Sequence, residues 1–295
     1  LMPPSIGNFE DAPIVSIGLP VFNSEKTIAQ AIQTILDQSI ENWELIISDN
    51  NSNDNTVKII EDFINLDKRI VLYKQKENIG IIRNFEFVLK KSKAKYFHWL
   101  AADDSRSINF LNENISFLEI HSDYVASCSL KFFDTINSDQ KSNTNFSLEQ
   151  SSIKARIDCL LENIWQSHSI YYSVIRTNII KKCQFLGEHF LANDWIIDLY
   201  IAHHGKIALQ SKSYIVIGIN GISRTNPYKP FRVKWIEIFV PLYTFHKKFN
   251  ILVNSYSFRY KCALQLKITL LHFYVIRRRL IDYFVVLIKN YLRLD

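Results

Sequence analysis

The chain has 295 residues, of which 47% are hydrophobic and 22% charged, so it can bury a sizeable core and is not disordered as a whole. Its formal net charge of +6 is modest for this length and does not by itself indicate a nucleic-acid partner. The four cysteines are widely spaced, unlike those of a zinc site. We expect them to be reduced, as is typical of a cytosolic protein.

We expect neither a cleaved signal peptide nor a membrane span in these 295 residues. Residues 1–18 lack the basic region and apolar stretch of a cleaved signal peptide. The longest clean apolar run in the carboxyl-terminal tail is 283–288. A membrane span requires roughly 20 mostly apolar residues. We therefore expect a cytoplasmic protein without a transmembrane helix.

The first 125 residues alternate between strand-type and helix-type patterns. In the first helical pattern, at 24–39, the apolar positions fit one face and Ser24 is a good N-cap. Similar helical patterns follow the next two strands. The alternation predicts an α/β fold with a mainly parallel sheet flanked by helices. The predicted strands are 14–20, 43–48, 69–74 and 95–101.

The pattern is looser after residue 125. A polar, Asn- and Ser-rich stretch predicts a mobile loop, and the last 65 residues read as amphipathic helix with several aromatic residues. The predicted elements are a loop at 134–152, a strand at 169–176, a helix at 191–205, strands at 206–219 and helix over 231–295.

In a parallel sheet of this kind, ligands bind beyond the carboxyl ends of the strands. The residues that join each strand to the next helix are therefore the first place to look for chemistry. Four such junctions occur, at 20–25, 48–56, 76–80 and 101–107.

The first two junctions have side chains suited to a nucleobase. Phe22 and Asn23 offer an aromatic edge and an amide that could pack on a flat base, although a plain helix cap explains them equally well. Asp49 could accept the N3–H of uracil or thymine, and an ordinary Asx-turn is the alternative.

The third junction has Gly80 for close backbone approach and Arg83 for a phosphate or carboxylate, unless Arg83 is simply a surface arginine. The segment is neither a Walker loop nor a dinucleotide-binding loop.

At the fourth junction, Asp103 and Asp104 repel each other, so one pKa should rise unless a cation lies between them. Such oxygens suit Mg²⁺ or Mn²⁺ on a diphosphate, whereas a helix cap accounts for only one aspartate. Further along the chain, Asp194 is either an N-cap or a general base.

Together these segments resemble glycosyltransferase family 2, whose members have the GT-A fold. The resemblance rests on 15–56, 78–84 and 96–104, and Asp194 and 221–224 extend it more weakly. It implies a GT-A, Rossmann-like α/β fold with a helical carboxyl-terminal extension. The implied activity is inverting transfer of a sugar from a UDP- or dTDP-sugar to a hydroxyl acceptor, in bacterial surface glycan synthesis. The acceptor is a glycan or a lipid-linked molecule, and no nucleic acid is involved.

The resemblance also implies a donor-binding set at the strand ends. The segment after the first strand cradles the nucleobase and ribose, an acidic residue follows it, and Asp49 binds the base. Arg83 lies near the donor, Asp103 near the ribose or sugar, and Arg224 near the diphosphate. The donor-binding set is Pro20, Val21, Phe22, Asn23, Glu25, Asp49, Asn78, Arg83, Asp103 and Arg224.

By the same resemblance, Asp104 is the ligand of a divalent metal, Mn²⁺ or Mg²⁺, and Asp194 is the catalytic base. Two positions depart from the family pattern. The metal motif is often Asp-x-Asp-Asp, but Ala101 stands at its first position. The base motif is often Glu-Asp, but Asn193 precedes Asp194. A nucleotide-sugar-binding module with little or no activity therefore stays open. A sugar nucleotidyltransferase is a further alternative, although its usual Gly-rich first loop is missing.

The predicted domain organisation is a catalytic domain at 1–225 and a helical region at 226–295. Within the former, about 14–125 forms the nucleotide-sugar-binding half and about 126–225 the acceptor-binding half. The basic, aromatic tail could lie on an anionic membrane surface at the inner face of the cell membrane. Packing on the catalytic domain or on a second subunit is the alternative.

Overall fold

The computed structural model describes residues 12–134, 147–218 and 235–292. Within these ranges one sheet has eight strands in the order β3-β2-β1-β4-β7-β6-β8-β5. The strands are β1 (Val15–Val21), β2 (Trp43–Asp49), β3 (Ile70–Lys74), β4 (Tyr96–Trp99), β5 (Ser105–Arg106), β6 (Tyr124–Phe133), β7 (Val174–Arg176) and β8 (Lys206–Ile217).

Helices flank the sheet and form the carboxyl-terminal region. Two short 3₁₀ turns, Ile164–Gln166 and Trp235–Ile238, accompany them. The helices are α1 (Ile28–Leu36), α2 (Thr56–Leu66), α3 (Ile81–Lys91), α4 (Phe110–Ile120), α5 (Ile153–Glu162), α6 (His168–Tyr171), α7 (Thr177–Ile180), α8 (Asn193–His204), α9 (Tyr243–Leu252) and α10 (Phe258–Leu292).

The amino-terminal half of the sheet is parallel. β1 pairs with β2 on one side and with β4 on the other, and β3 continues beyond β2. Val21 lies opposite Asp49, and Asp49 lies opposite Lys74, so these strands end together. Their carboxyl ends meet at one edge, as the alternating pattern predicted, and the α/β fold is confirmed.

The core has a layer on each side of this sheet. Alternate residues of a strand point to opposite faces, so Leu45 and Ile47 pack in the layer that includes α1 and α4. Ile46 points the other way, into the layer that includes α3 and α8. A sheet covered on both faces has its strand ends as the accessible edge for a ligand.

The predicted strand at 169–176 is wrong over its first half. Residues His168–Tyr171 form α6, and only Val174–Arg176 form a strand. The Ser173 hydroxyl donates to the Ile170 carbonyl at 2.6 Å and so closes the turn between them. The β-type composition of this segment indicates burial, which a short helix satisfies equally well.

The first predicted helix also begins later than expected. It starts at Ile28, and Thr27 rather than Ser24 precedes it as the capping residue. The carbonyl of Ser24 accepts from the backbone N–H groups of Thr27 and Ile28, which forms a turn ahead of the helix. Most of the predicted loop, 135–146, lies outside the described residues.

The long helix α10 has two apolar faces. One face packs on the rest of the protein, and the other is exposed to solvent. Among the helices in the described ranges, none combines the length and apolar character that crossing a membrane requires. The buried residues are Leu264, Ile268, Leu271 and Val275, and the exposed ones include Phe258, Leu266, Leu270 and Phe273.

A buried histidine lies where α10 packs against α9. His272 is 9% exposed, and neither of its ring nitrogens has a hydrogen-bond partner among the described residues. Its ring centroid is 5.8 Å from that of His246 on α9. Burial, followed by the nearby charge of His246, lowers the pKa of His272 to about 4.

The fold should therefore lose stability as the pH falls through this range. Unfolded His272 takes up a proton below about pH 6.5, whereas the folded side chain stays neutral until about pH 4. The free energy of unfolding is therefore unaffected by His272 above pH ~6.5, and the unfavourable effect of His272 on it grows as the pH falls towards 4. We expect the thermal unfolding temperature of the His272→Gln variant to fall less between pH 6.5 and 4.5 than that of the wild type. The exposed control His189→Gln should follow the wild type, and an equal slope in all three would contradict the assignment.

Candidate active site

The first two junctions are locked to each other by side-chain hydrogen bonds. Asn23 has a left-handed backbone (φ 48°), its N–H donates to Ser52 Oγ at 2.9 Å, and its Oδ1 accepts from the Asn53 N–H at 3.0 Å. Glu25 Oε2 accepts from the backbone and side-chain nitrogens of Asn55 at 3.0 and 2.9 Å. Asn23 and Glu25 therefore shape the crevice by joining its two walls.

Phe22 is the exposed side chain at the end of β1. Its ring is 43% exposed, whereas Pro20 and Val21 are buried. The Val21 carbonyl accepts from the backbone N–H of Asn50 in the second junction, at 2.9 Å. Pro20 and Val21 thus lie in the interior, whereas Phe22 presents an aromatic surface to solvent.

Asp49 is buried at the end of β2 and has one oxygen unused. Its Oδ2 accepts from the backbone N–H of Ser52 at 3.1 Å, so the carboxylate stabilises the following turn, although the bond reaches one residue further than in the Asx-turn that the sequence offered as an alternative. Its Oδ1 is buried and has no hydrogen-bond partner among the described residues. Turn formation and base recognition are therefore compatible, because each uses a different oxygen of the carboxylate.

The third junction is held by amide side chains. Asn78 Oδ1 accepts from Asn50 Nδ2 and from the Gly80 N–H, both at 2.9 Å. Gly80 has φ 85°, and the space beside it is open. Arg83 follows on the exposed first turn of α3, and none of the ion pairs among the described residues involves it. Asn78 therefore stabilises the conformation of the loop, while Arg83 is available to bind a ligand.

A buried arginine lies directly behind the two aspartates. The side chain of Arg106 is fully buried, with one terminal nitrogen 3.4 Å from Asp104 Oδ2. Its Nε donates to His98 Nε2 at 3.0 Å, and its other terminal nitrogen donates to the Ser105 carbonyl at 2.9 Å. The sequence pattern assigned no role to Arg106 or His98. The available signal was an arginine two positions after a pair of adjacent carboxylates.

The protonation state of His98 follows from its partners. Its Nδ1 lies 3.3 Å from the Ser173 carbonyl, which can only accept, so Nδ1 carries the proton. Nε2 is then free to accept from Arg106. Burial, followed by the charge of Arg106, lowers the pKa of His98 well below its ordinary value. A neutral histidine therefore holds the guanidinium.

Asp104 and Asp103 differ in their surroundings. Asp104 is 3% exposed, and its Oδ1 accepts from the Gly218 N–H at 3.0 Å, whereas Asp103 is partly exposed. Burial raises the pKa of Asp104, while the Arg106 guanidinium and the Gly218 N–H oppose that rise. The expected rise thus occurs, but burial is a larger cause than the charge of Asp103.

The end of β8 closes against this pair, which the sequence did not predict. A Cβ atom on Gly218 would lie 2.4 Å from the carbonyl oxygen of Asp103. Only a glycine lets the backbone approach so closely that its N–H reaches Asp104. Arg224, a predicted donor residue, lies beyond this point and outside the described residues.

Asp194 is brought into the same region through Tyr172. Asp194 is the second residue of α8 and is partly buried. Burial raises the pKa of Tyr172, and the charges of Asp104, Asp103 and Asp194 raise it further, while Arg106 opposes them. The phenol therefore lies within electrostatic range of both the aspartate pair and Asp194, although the sequence gave Tyr172 no role.

Two neighbours of Asp194 on α8 are buried polar residues. Asn193 Nδ2 donates to the Phe185 carbonyl at 3.0 Å, so the residue that replaces the usual glutamate anchors the start of the helix. Asp198, one turn after Asp194, is 1% exposed. Burial raises its pKa well above the ordinary value, Ser167 opposes the rise and Asp194 adds to it.

The aspartate pair offers hard oxygen ligands to a divalent cation. Among the described residues, no cluster of three or more His, Cys, Asp or Glu side chains is arranged around a common point. Asp103 and Asp104 remain, because the side chain of Ala101 has no ligand atom. This donor set fits Mg²⁺ or Mn²⁺ when the oxygens of a diphosphate complete the coordination.

Comparison with known proteins identifies relatives of this chain. The family model described as "Glycosyl transferase family 2" matches residues 16–183. An uncharacterized glycosyltransferase of Haemophilus influenzae is 33% identical over 110 residues, covering 37% of this chain and 34% of that protein. The Escherichia coli UDP-Glc:alpha-D-GlcNAc-diphosphoundecaprenol beta-1,3-glucosyltransferase WfgD is 33% identical over 105 residues, covering 36% and 41%. These alignments thus span less than half of each relative.

Two solved structures share the fold. Residues 1–349 of S. aureus TarS, in complex with UDP-GlcNAc, match with a TM-score of 0.59 and 17% identity, covering 77% of this chain and 64% of that one. The mannosyltransferase PcManGT from Pyrobaculum calidifontis, in complex with GDP-Man and Mn²⁺, matches with a TM-score of 0.54 and 12% identity, covering 88% and 81%. The described strands and helices therefore have the GT-A arrangement.

Proposed function

The chain belongs to glycosyltransferase family 2, and on that premise we propose that it transfers a sugar from a nucleoside diphosphate donor to an acceptor hydroxyl group. The observation that carries the proposal is the parallel register of β1, β2 and β4, which brings Phe22, Asp49 and the pair Asp103 and Asp104 to one edge of the sheet. Relatives of the chain act in bacterial polysaccharide synthesis, and we propose the same setting here, with a glycan or lipid-linked acceptor.

We propose UDP or dTDP as the donor nucleotide. The unused Oδ1 of Asp49 can accept the N3–H of uracil or thymine, and the exposed ring of Phe22 can pack on the base. Arg83 can pair with the diphosphate from the first turn of α3. The UDP-GlcNAc complex of TarS supports this choice of nucleotide.

For the reaction, we propose an inverting displacement. Asp194 takes the proton of the acceptor hydroxyl as its oxygen attacks the anomeric carbon, the bond to the diphosphate breaks, and the diphosphate leaves with that electron pair. Asp104 would hold Mn²⁺ or Mg²⁺, which when bound offsets charge on the diphosphate. Asp103, which is partly exposed, would lie nearer the ribose or sugar.

A nucleotide-binding module without transferase activity is the competing interpretation, to which Ala101 lends slight support. A sugar nucleotidyltransferase is a further one. The three differ in their products. From a sugar nucleotide, a transferase releases a nucleoside diphosphate by transfer and slow hydrolysis, and a binding module releases nothing. A nucleotidyltransferase releases pyrophosphate when it joins a nucleoside triphosphate to a sugar 1-phosphate. Two panels, one of sugar nucleotides and one of nucleoside triphosphates with sugar 1-phosphates, each with Mn²⁺ and with EDTA, distinguish them.

The assignment of Asp49 predicts a change in base preference. The Asp49→Asn variant can keep the acceptor for the Ser52 N–H while turning its NH₂ group towards the base. Uracil then meets a donor, but cytosine has an acceptor at N3. A charge-assisted hydrogen bond contributes about 1.5–3 kcal/mol, so UDP affinity should fall ~10–100-fold. We expect calorimetry to show CDP affinity unchanged or improved, and an equal loss for both nucleotides would contradict the contact.

The assignment of Asp194 predicts a loss of turnover with little loss of binding. In the Asp194→Asn variant we expect the transfer rate to fall ~10²–10⁴-fold, because the amide cannot take a proton from the acceptor. UDP affinity should stay close to that of the wild type. Asp62→Asn, an exposed change on α2, is the control. Near-wild-type transfer by Asp194→Asn would show that another group is the base.

We also propose that α10 rests on the inner face of the cell membrane, with the catalytic region in the cytoplasm. Its exposed apolar face is accompanied by exposed Arg259, Arg277 and Arg278. Residues 258–292 include seven Lys or Arg and one Asp. Cationic groups beside an apolar face match an anionic lipid surface better than they match a second, equally basic copy of the helix.

Vesicle binding tests this contact on the full chain. We expect sedimentation with phosphatidylglycerol-containing vesicles, weaker sedimentation with phosphatidylcholine alone, and loss of both in the Leu266→Gln/Phe273→Gln double variant. The change Leu66→Gln, at an exposed leucine on α2, is the control. If the wild type ignores vesicles but forms a dimer that the double variant abolishes, the face contacts a second subunit and the membrane proposal is wrong.

A further inference from the structure

We propose that Arg106 is the positioning residue of the candidate metal site: it holds Asp104 in the orientation in which that carboxylate binds a divalent cation. The inference rests on the proposed function, because it assumes a nucleotide and a metal at this edge of the sheet. It concerns a buried residue that the substrate does not contact. The proposal stands on the geometry around the guanidinium.

Arg106 cannot leave its position without giving up several contacts. Its Nε–H is donated to His98, and its terminal nitrogens reach the carbonyls of Ser105 and Trp99 at 2.9 and 3.5 Å. The rings of Phe110 and Tyr172 lie 5.6 and 5.7 Å from its central carbon. The guanidinium is therefore fixed from several sides.

The same geometry fixes Asp104. Both terminal nitrogens of Arg106 lie near its Oδ2, at 3.5 and 3.4 Å, and its Oδ1 accepts from the Gly218 N–H at 3.0 Å. With both oxygens engaged, the carboxylate has little freedom to rotate. Its neighbour Asp103 is partly exposed, whereas Asp104 is 3% exposed. The two aspartates thus differ in how deeply they are buried.

The number of charged groups at the candidate metal site makes the position of Asp104 important. Ala101 stands where the family pattern has a first aspartate, so fewer carboxylates are available to attract a cation. A site with fewer ligands depends more on each remaining one being held in place by outer contacts. Removing Arg106 also leaves Asp104 buried without a counter-charge, which is strongly unfavourable, so the carboxylate should shift.

The test separates metal-dependent from metal-independent nucleotide binding. For each protein the dissociation constant of UDP is measured by calorimetry in Mn²⁺ and in EDTA, and the ratio of the two gives the metal enhancement. In Arg106→Met we expect the enhancement to fall about 10–100-fold, as is usual when an outer contact of a metal ligand is lost. Affinity in EDTA should stay within about threefold, because Arg106 is buried away from the nucleotide.

Two further variants test whether a change in metal enhancement is specific to Arg106. Arg106→Lys keeps the positive charge and should retain part of the enhancement. Arg156→Met is the matched control, since Arg156 is also buried but, within the described ranges, bonds to the carbonyls of Ala202, Gln150 and Ser151 and to no carboxylate. It should show the wild-type enhancement.

Should Arg106→Met fail to fold, His98→Leu carries the test. It removes the acceptor of the Arg106 Nε–H and leaves the ion pair between Arg106 and Asp104. The metal enhancement should therefore be reduced but not abolished, and the affinity for UDP in EDTA should be unchanged. Electron paramagnetic resonance of Mn²⁺, which reports bound metal directly, provides a second measure.

The outcomes distinguish this inference from the proposed function. Wild-type protein that binds UDP in EDTA with no gain from Mn²⁺ retains the nucleotide site but overturns the role of Arg106. Undiminished or increased enhancement in Arg106→Met and His98→Leu also overturns it. Equal losses in Mn²⁺ and in EDTA would mean a general structural role. Absence of binding to every nucleoside diphosphate would instead count against the proposed function.

Discussion

Val21 lies opposite Asp49 in the parallel pair of β1 and β2, and this register is the constraint on which the site depends. Because β4 is also parallel to β1, three strands deliver their following loops to one edge. The loops then bond to one another, as where Glu25 accepts from Asn55. A shift of one residue would turn each side chain of a strand to the opposite face of the sheet, so core packing and the site share one register.

The buried charges at this edge follow from that placement. Asp104 enters the interior beneath the end of β8, and a carboxylate there needs a cation or several donors. Arg106 supplies the charge, and the Gly218 N–H supplies a further donor. His98 completes the arrangement as a neutral acceptor on β4, the strand that leads into the two aspartates. Two buried polar side chains and one backbone N–H thus serve a single carboxylate.

The carboxyl-terminal helix α10 is placed by hydrophobic packing rather than by buried charges. The buried residues of α10 recur every three or four positions and dock the helix on the core. Its opposite face is also apolar, and that surplus has no function within the described fold. Hydrophobic patterning therefore identifies α10 as a helix, and its second apolar face is the surface on which we propose the membrane contact.

Local patterns in the sequence determined the amino-terminal half. Alternating periodicities of two and 3.6 predicted the first strands and helices, and the strand ends located Asp49, Asp103 and Asp104. The segment at 169–176 was misassigned because its composition reports burial, and α6 and β7 are both buried. The partners Arg106, His98, Tyr172 and Gly218 could not be paired from the sequence, since Gly218 is 114 residues from Asp104. The sequence determined which polar groups follow the strands, because that depends on neighbours along the chain. Only the tertiary structure decided which groups meet and which stay charged, because burial and counter-charges come from segments that are distant in the chain.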